Sequence, residues 1–382
     1  MIHLIKNRDY QKFRHLLRSL EAFQPMCAAV MDGIWPGRVW VDNPDDPRAA
    51  FLVTFLSGGG AAWCFLAGEP NNREFNTALN KAIFEDKVTG QEVGTFLFTC
   101  HPEDWGGQLV VVGDPRQPAP MTRRHYICRN LTYDWRSNTP DGYVVQPMES
   151  SLLQHKGLQI PSQVIATLDK WTSIQDKRLQ DYGFVVIHEN QIVSWATVDF
   201  INAGSGDLGF ETDPQHRRRG LGTVVAAAVL EHGLTLGLSA IHWTCADDNT
   251  GSLRTAEKLE LEYDCDYTMY MFASDEGDHL AQLAYSHLAR GEYQSAVERY
   301  EQLFARKANV PLWAYFDTAQ ACAALGRQDD AFRYLRMAAK LGWSAAEMTE
   351  QTKEFRILYD TPEWVDVMAR IRRNQRRGAN SS

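Results

Sequence analysis

Residues 208–222 read Leu208-Gly209-Phe210-Glu211-Thr212-Asp213-Pro214-Gln215-His216-Arg217-Arg218-Arg219-Gly220-Leu221-Gly222, and the fold is decided here. An apolar run, Leu208-Gly209-Phe210, has β character and passes through a turn marked by Pro214. A basic, Gly-rich loop follows, Arg217 to Gly222, and Thr223 to Leu230 then has helical character. A strand feeding a Gly-rich loop at a helix N-terminus is a candidate anion site. The first backbone N–H groups of the helix lack intrahelical partners, and the helix dipole favours negative charge. Gly220 and Gly222 let an anion approach the backbone where a Cβ would collide, and Arg217 adds positive charge. The alternative for this stretch alone is a solvated Arg run before an ordinary helix.

The flanking segments give the loop its context. Ala240 to Cys245 reads as the next strand, and Asp247 to Ser252 as a polar turn with capping chemistry. Leu253 to Leu259 reads as a short helix and Tyr263 to Phe272 as a final alternating strand. Upstream, Tyr182–Glu189 and Ile192–Phe200 flank Asn190-Gln191, a hairpin turn. Tyr143–Met148 is an opening strand and Gln163–Gln180 a helix. The order over about 141–273 is strand, helical segment, three strands, helix, strand, helix, strand.

That order, with Arg217-x-x-Gly220-x-Gly222 preceded by Pro214, resembles the GNAT acyltransferases. Asn249-x-x-Ser252 followed by Ala256-x-Lys258-Leu259 resembles their second motif. The wording LGFETDP, RRRGLGT, HWTC and AEKL is closer still to the zwittermicin A resistance acetyltransferase subfamily. The resemblance implies an α/β (α+β) GNAT fold and an acetyl-CoA-dependent N-acetyltransferase. It implies that Arg217, Arg218, Arg219, Gly220, Leu221, Gly222 and Thr223 cradle the diphosphate of acetyl-CoA. Phe210, Glu211 and Thr212 would line the pantetheine, and Asn249 and Ser252 would contact CoA.

For the chemistry, Glu211 is the candidate base, a carboxylate directly after an apolar run where burial would raise its pKa. The alternatives are a carboxylate that binds the substrate cation without moving a proton, or a structural one. The general acid is a gap, because Ala256 stands where the family often carries Tyr. Cys245 and His242 read as packing or surface residues rather than catalysts. No metal site is expected, since the histidines show no H-x-x-x-H or H-E-x-x-H spacing and the cysteines are dispersed. A catalytic Ser is not expected either, for want of G-x-S-x-G.

Two further territories flank this one. Over 1–140 we expect a helix at Lys6–Phe23 and strands at Arg38–Val41, Ala50–Leu56 and Ala61–Ala67, with a turn at Ser57–Gly60. A helix at Asn72–Phe84 and strands at Thr95–Cys100, Leu109–Val112 and His125–Arg129 follow. The order loosely repeats that of 141–273 without the Gly loop. A degenerate GNAT-like half competes here with an unrelated α+β domain, and neither would hold a CoA site. Over 278–375, Gly291 and Gly326 lie 35 residues apart, as do Ala296 and Ala331. This spacing resembles the tetratricopeptide repeat. The segment is a peptide or protein docking groove, or a helical cap that stabilises the enzyme or a homodimer. Arg370–Arg377 reads as a solvated tail, disordered over 376–382.

The bulk numbers narrow the class. The 382 residues suffice for two or three domains. A formal net charge of −9 disfavours a general nucleic-acid or anionic-membrane role. Seven scattered cysteines without C-x-x-C suggest reduced thiols, and no apolar run approaches the roughly 20 residues of a membrane span. A cytoplasmic enzyme acting on a small-molecule amine is the expectation, with the acidic residues Glu211, Asp264 and Asp266 near the pocket suiting a cation. The competing functions are a protein or peptide acetyltransferase and a non-catalytic acyl-CoA-binding scaffold.

Overall fold

The computed structural model describes residues 1–55, 60–85, 93–173, 182–306 and 310–380. The expected turn at 57–59 and the end of the expected helix at 174–180 lie outside them. Two compact units emerge: one formed by 1–114 and 120–270, the other by 115–119 and 271–382.

In the first unit the chain threads one order twice. The first pass is β1 (His3–Leu4), α1 (Tyr10–Glu21), α2 (Pro25–Met31), β2 (Gly37–Val41), β3 (Ala49–Phe55) and β4 (Ala61–Gly68). It continues through α3 (Arg73–Phe84), β5 (Thr95–His101), α4 (Trp105–Gly113) and β6 (Ala119–Cys128). The second pass is β7 (Val144–Pro147), α5 (Ser162–Ser173), β8 (Gly183–His188), β9 (Gln191–Asn202) and β10 (Ser205–Thr212). After α6 (Leu221–Thr235) come β11 (Ala240–Ala246), α7 (Thr250–Lys258) and β12 (Glu262–Ala273).

All twelve strands share one sheet, ordered β1-β2-β3-β4-β5-β12-β6-β11-β10-β9-β8-β7. The two passes therefore meet at the centre and exchange their closing strands. β12 lies beside β5, and β6 lies beside β11. β6 pairs β11 antiparallel from Ile241↔Cys128 to Ala246↔Arg123.

The core around α6 explains that helix's composition. Thr223 to Leu230 are all buried, so the helix is apolar around its whole circumference. It packs with Leu208, Ile241, Trp243 and Cys245 on one face of the sheet. Strand alternation then sends Asp207, Gly209 and Glu211 to the opposite face, with His242 and Thr244.

One expectation in the first pass is overturned. Leu109–Val112 is not a strand but lies within α4. Its valines favour β structure in isolation. Burial decides otherwise: Trp105, Leu109 and Val112 are buried at helical spacing, while Val110 is 55% exposed. The strand expected at His125–Arg129 starts earlier, at Ala119, and ends at Cys128.

The second unit is helical: α8 (Glu276–Ala289), α9 (Tyr293–Arg306), α10 (Leu312–Ala324), α11 (Gln328–Leu341), α12 (Ala346–Gln351) and α13 (Pro362–Asn380). Gly291 and Gly326 end the first helix of each pair, both at φ +74°. Ala296 and Ala331 are both fully buried. Arg370–Arg377 is helix, not tail. Trp364, Val367, Met368 and Ile371 form a buried stripe that fixes α13, with the arginines on its exposed side. Part of the tail expected at 376–382 thus belongs to α13, described through Asn380. No helix among the described residues is long and apolar enough to cross a membrane.

Candidate active site

The site begins with a pair of parallel strands that part. β10 and β11 share only three register pairs, Ser205↔Ala240, Gly206↔Ile241 and Asp207↔His242. Beyond Asp207 and His242, β10 stays on β9 through Thr212, and β11 stays on β6 through Ala246. Each strand thus has one backbone edge without a strand partner, and the two edges face each other across a wedge. Phe210 and Trp243 flank it on the α6 side, their ring centroids 5.3 Å apart.

The wedge opens beside the N-terminus of α6. Gly220 is the N-cap, at φ +82°, and supplies no side chain to cap the helix. A Cβ at Gly220 would meet nothing within 4 Å, so the space before the loop is open. Gly222 differs: its Cβ would press on the Phe210 ring at 3.1 Å and Thr212 Oγ1 at 3.3 Å. Gly220 therefore answers to backbone conformation and Gly222 to helix–strand packing. Leu221 and Thr223 are buried, so their backbone, not their side chains, faces any ligand. Arg217 Nε donates to the Thr212 carbonyl at 3.0 Å, tying the loop to the strand end. Arg219 donates to Tyr143 Oη at 2.7 Å, and Arg218 adopts φ +63°. Thr212 is fixed in turn by Ser194, whose Oγ lies 2.8 Å from Thr212 Oγ1 and donates to the Glu211 carbonyl.

Asn249 caps α7, its Oδ1 accepting from Ser252 N–H at 3.1 Å. Ala256, where the resemblance would place Tyr, is buried in the core. Burial pushes the Cys245 thiol up, so it is no ready nucleophile. Glu211 is exposed, and the burial that motivated its role as base is absent.

Sequence reading placed Asp264 near the pocket but missed the polar cluster that it joins at the vertex. Asp207 is pushed up to about 7, first by burial, with Asp199 adding and Arg123 opposing. Its Oδ1 is buried without a hydrogen-bond partner among the described residues. His242, opposite Asp207 in register, has Nδ1 2.9 Å from Nε2 of His125. His125 Nδ1 lies 2.8 Å from Asp264 Oδ2. The two rings stack at 12°, and Phe23 lies edge-on to His125. Burial lowers both histidines, His242 to about 4, while its bond to His125 holds Asp264 below the usual carboxylate range. Arg123 braces the cluster through Tyr267 Oη at 3.1 Å and Thr244 Oγ1 at 2.8 Å. The signal available was faint: a lone Asp in an apolar run and a His distant in sequence.

His125, Asp264 and Cys265 bring ligand-type atoms within 4.8 Å of one another. We assign no metal there. His125 Nδ1 is engaged with Asp264, and the Cys265 thiol is pushed up to about 11, first by burial.

The sequence matches the GNAT acetyltransferase family over residues 16–270. The chain belongs to this family. It is an N-acetyltransferase, and GNAT enzymes bind acetyl-CoA and an acceptor. YdfB of Bacillus subtilis (strain 168), described as an uncharacterized N-acetyltransferase, is 23% identical over 248 residues. That match covers 63% of this chain and 88% of the relative. Among solved structures, a GCN5-related N-acetyltransferase from Sphaerobacter thermophilus has TM-score 0.49 at 12% identity, covering 72% of this chain and 95% of that one. A tandem GNAT protein from the clavulanic acid biosynthesis pathway has TM-score 0.47 at 13% identity, covering 72% and 99%. For this GNAT chain the parted strands and uncapped helix fit the cosubstrate. Two free backbone edges suit an amide-bearing arm, and the open N-terminus of α6 suits a diphosphate.

Proposed function

We propose that the protein transfers the acetyl group of acetyl-CoA directly to the primary amine of a small molecule, such as an amino-bearing antibiotic or metabolite. The observation that carries this reading is the wedge that opens past Asp207 and His242 beside the Gly220 loop. Residues 210–212 and 217–223, with Asn249 and Ser252, are the proposed CoA contacts. Acetyl-CoA supplies the activated acyl group, a thioester that an amine can attack without a covalent enzyme intermediate. β10 edge amides would hold the thioester oxygen.

The acceptor is read from charge. Asp199, Asp207 and Glu211 belong to the sheet face away from α6, which favours a cation. Because Glu211 is exposed, we give it the second of its three readings, a carboxylate that draws in the ammonium. The subfamily resemblance supports the small-amine lean.

A second reading is favoured by the matched helix pairs α8–α9 and α10–α11. With Gly291 and Gly326 at one φ, they support a tetratricopeptide-like segment that docks a peptide substrate. Thiol release from acetyl-CoA across aminoglycosides, polyamines, aminopolyols and peptides tests both. Turnover of small amines with none of peptides supports the first. Peptide turnover that disappears selectively on deleting 278–382 supports the second, because remote contacts matter only to a long substrate. No turnover of any amine would leave an acyl-CoA-binding scaffold.

A further inference from the structure

Acetyl transfer to an ammonium requires a proton to leave, and the vertex of the wedge holds a connected route for it. Asp264 is 44% exposed at its side chain, while the His125 side chain is wholly buried. His242 is 8% exposed and stands at the last rung before the strands part. The chain of contacts, 2.8 Å and then 2.9 Å, thus runs from solvent to the vertex.

The protonation pattern follows from the donors and acceptors. An ionised Asp264 can only accept, so His125 Nδ1 carries a hydrogen. A neutral His125 then has a bare Nε2, which can only accept. His242 must donate to it through Nδ1–H, leaving its own Nε2 as a lone pair. With both rings neutral, this is the arrangement that satisfies both bonds. No protein group among the described residues hydrogen-bonds His242 Nε2.

Resting on the acetyltransfer reading above, we propose that His242 Nε2 takes the proton of the acceptor ammonium, and that His125 and Asp264 pass it to solvent. The transfer balances. The amine loses one proton to His242 Nε2, and the Nδ1 hydrogen of His242 moves to His125 Nε2. The Nδ1 hydrogen of His125 moves to Asp264, which releases a proton to water; before the next turnover the hops run in reverse, with Asp264 taking a proton from water and His242 Nε2 giving its hydrogen to water, which restores both tautomers. His242 is the group that meets substrate; His125 and Asp264 are positioning residues. The charged and titratable neighbours come from four strands and one strand end: Arg123 on β6 and Arg129 just past it, Asp199 on β9, Asp207 on β10, and Tyr267 on β12. Arg129 opposes a charge on either ring, which favours handing the proton on over holding it. His125 lies on β6, the strand contributed by the first pass. The first pass therefore completes the chemistry of the second.

Two measurements test this. Long-range 1H–15N correlation spectra of the histidine-labelled full chain at neutral pH report tautomers, with His242→Gln and His125→Gln used for assignment. We expect hydrogen on Nδ1 of both rings and none on Nε2 of His242. Hydrogen on His242 Nε2 overturns the proposal. The second measurement is kcat against pH, with acetyl-CoA and the amine from the screen that turns over fastest. His242→Gln should lower kcat about 100-fold or more with KM for acetyl-CoA unchanged. Asp264→Asn should lower kcat about 10-fold or more and alter its pH profile, which a purely structural role would not do. His242→Gln within twofold of wild type overturns the proposal, and so does a loss confined to Asp207→Asn. A wild type silent on every amine sinks the small-amine reading instead, and the tautomer spectra then decide the relay alone.

Discussion

The two passes of the chain build the same pair of parallel strands and finish it differently. β4 and β5 stay in register over seven rungs, from Ala61↔Thr95 to Ala67↔His101. β10 and β11 separate after three. At the strand-to-helix junction, Gly68 and Gly220 share a left-handed φ, +85° and +82°. A Cβ on Gly68 would stand 2.0 Å from the Arg48 carbonyl oxygen, whereas one on Gly220 would meet nothing. The N-terminus of α3 is capped by Asn72, whose Oδ1 accepts from Phe75 N–H at 3.0 Å. At the N-terminus of α6 the N-cap, Gly220, makes no side-chain cap hydrogen bond. The backbone groups that the first pass pairs between β4 and β5 and caps at the start of α3 are left open by the second past Asp207 and at the start of α6. A binding site here is made by withholding contacts that the fold is able to make.

The largest effect should come from separating the passes. Residues 141–273 alone lack β6, and β11 would lose its six rungs with it. An exposed edge in the middle of a sheet invites aggregation. We expect that fragment to aggregate and to bind no acetyl-CoA, and co-expression with residues 1–140 to restore both behaviours. Size-exclusion chromatography and calorimetry check this. Tight acetyl-CoA binding by the isolated fragment would show that the strand exchange is dispensable to the site.

The two junction glycines sharpen the contrast next. Gly68→Ala combines an unfavourable φ with a clash against backbone, and should cost about 4 kcal/mol. Gly220→Ala carries only the φ penalty, about 1–2 kcal/mol. Acetyl-CoA affinity should respond in the opposite order. It should fall at least about tenfold for Gly220→Ala and stay within about twofold for Gly68→Ala at a temperature where both are folded. Urea unfolding and calorimetry give both numbers. Equal affinities in the two variants would remove the loop from the site.

What could be read in advance follows the same division. The order around α6 was legible because a Gly-rich loop between a strand and an apolar helix is a local signal, fixed by residues 208–230 alone. The zipped character of β4 and β5 was not. It depends on side chains such as Cys64 and Phe98 packing across the sheet rather than on any motif. The His125–His242 contact was invisible for a stronger reason. It joins strands 117 residues apart that become neighbours only because β6 crosses into the second pass. Leu109–Val112 failed because local β-propensity was weighed above the Trp105, Leu109, Val112 spacing. Glu211 failed in its premise: it follows an apolar run in sequence, but the parting of the strands leaves its side chain exposed.

The last contrast is electrostatic and separates the vertex from its zipped counterpart. Asp207 is raised from 3.8 to about 7, first by burial. Between those pH values the folded chain holds a proton that the unfolded chain has released. This group's stabilisation is therefore full below 3.8 and is lost as the pH climbs to about 7. His242 has the opposite sign. Burial lowers it from 6.5 to about 4, so its contribution is full above 6.5 and is lost as the pH falls toward 4. The two slopes offset each other in the wild type over that shared window. Asp207→Asn removes one of them. Stability of the variant relative to wild type should rise from about pH 4 to 7 by on the order of 3 kcal/mol, and level off above. In the zipped pair, burial raises the thiols of Cys64 and Cys100, so neither titrates below neutrality. Cys64→Ala should shift stability by the same amount at every pH in this window. Urea midpoints at pH 4.5, 5.5, 6.5 and 7.5 for both variants check the contrast, and parallel profiles for Asp207→Asn and wild type would mean that the vertex carboxyl titrates alike in the folded and unfolded chain.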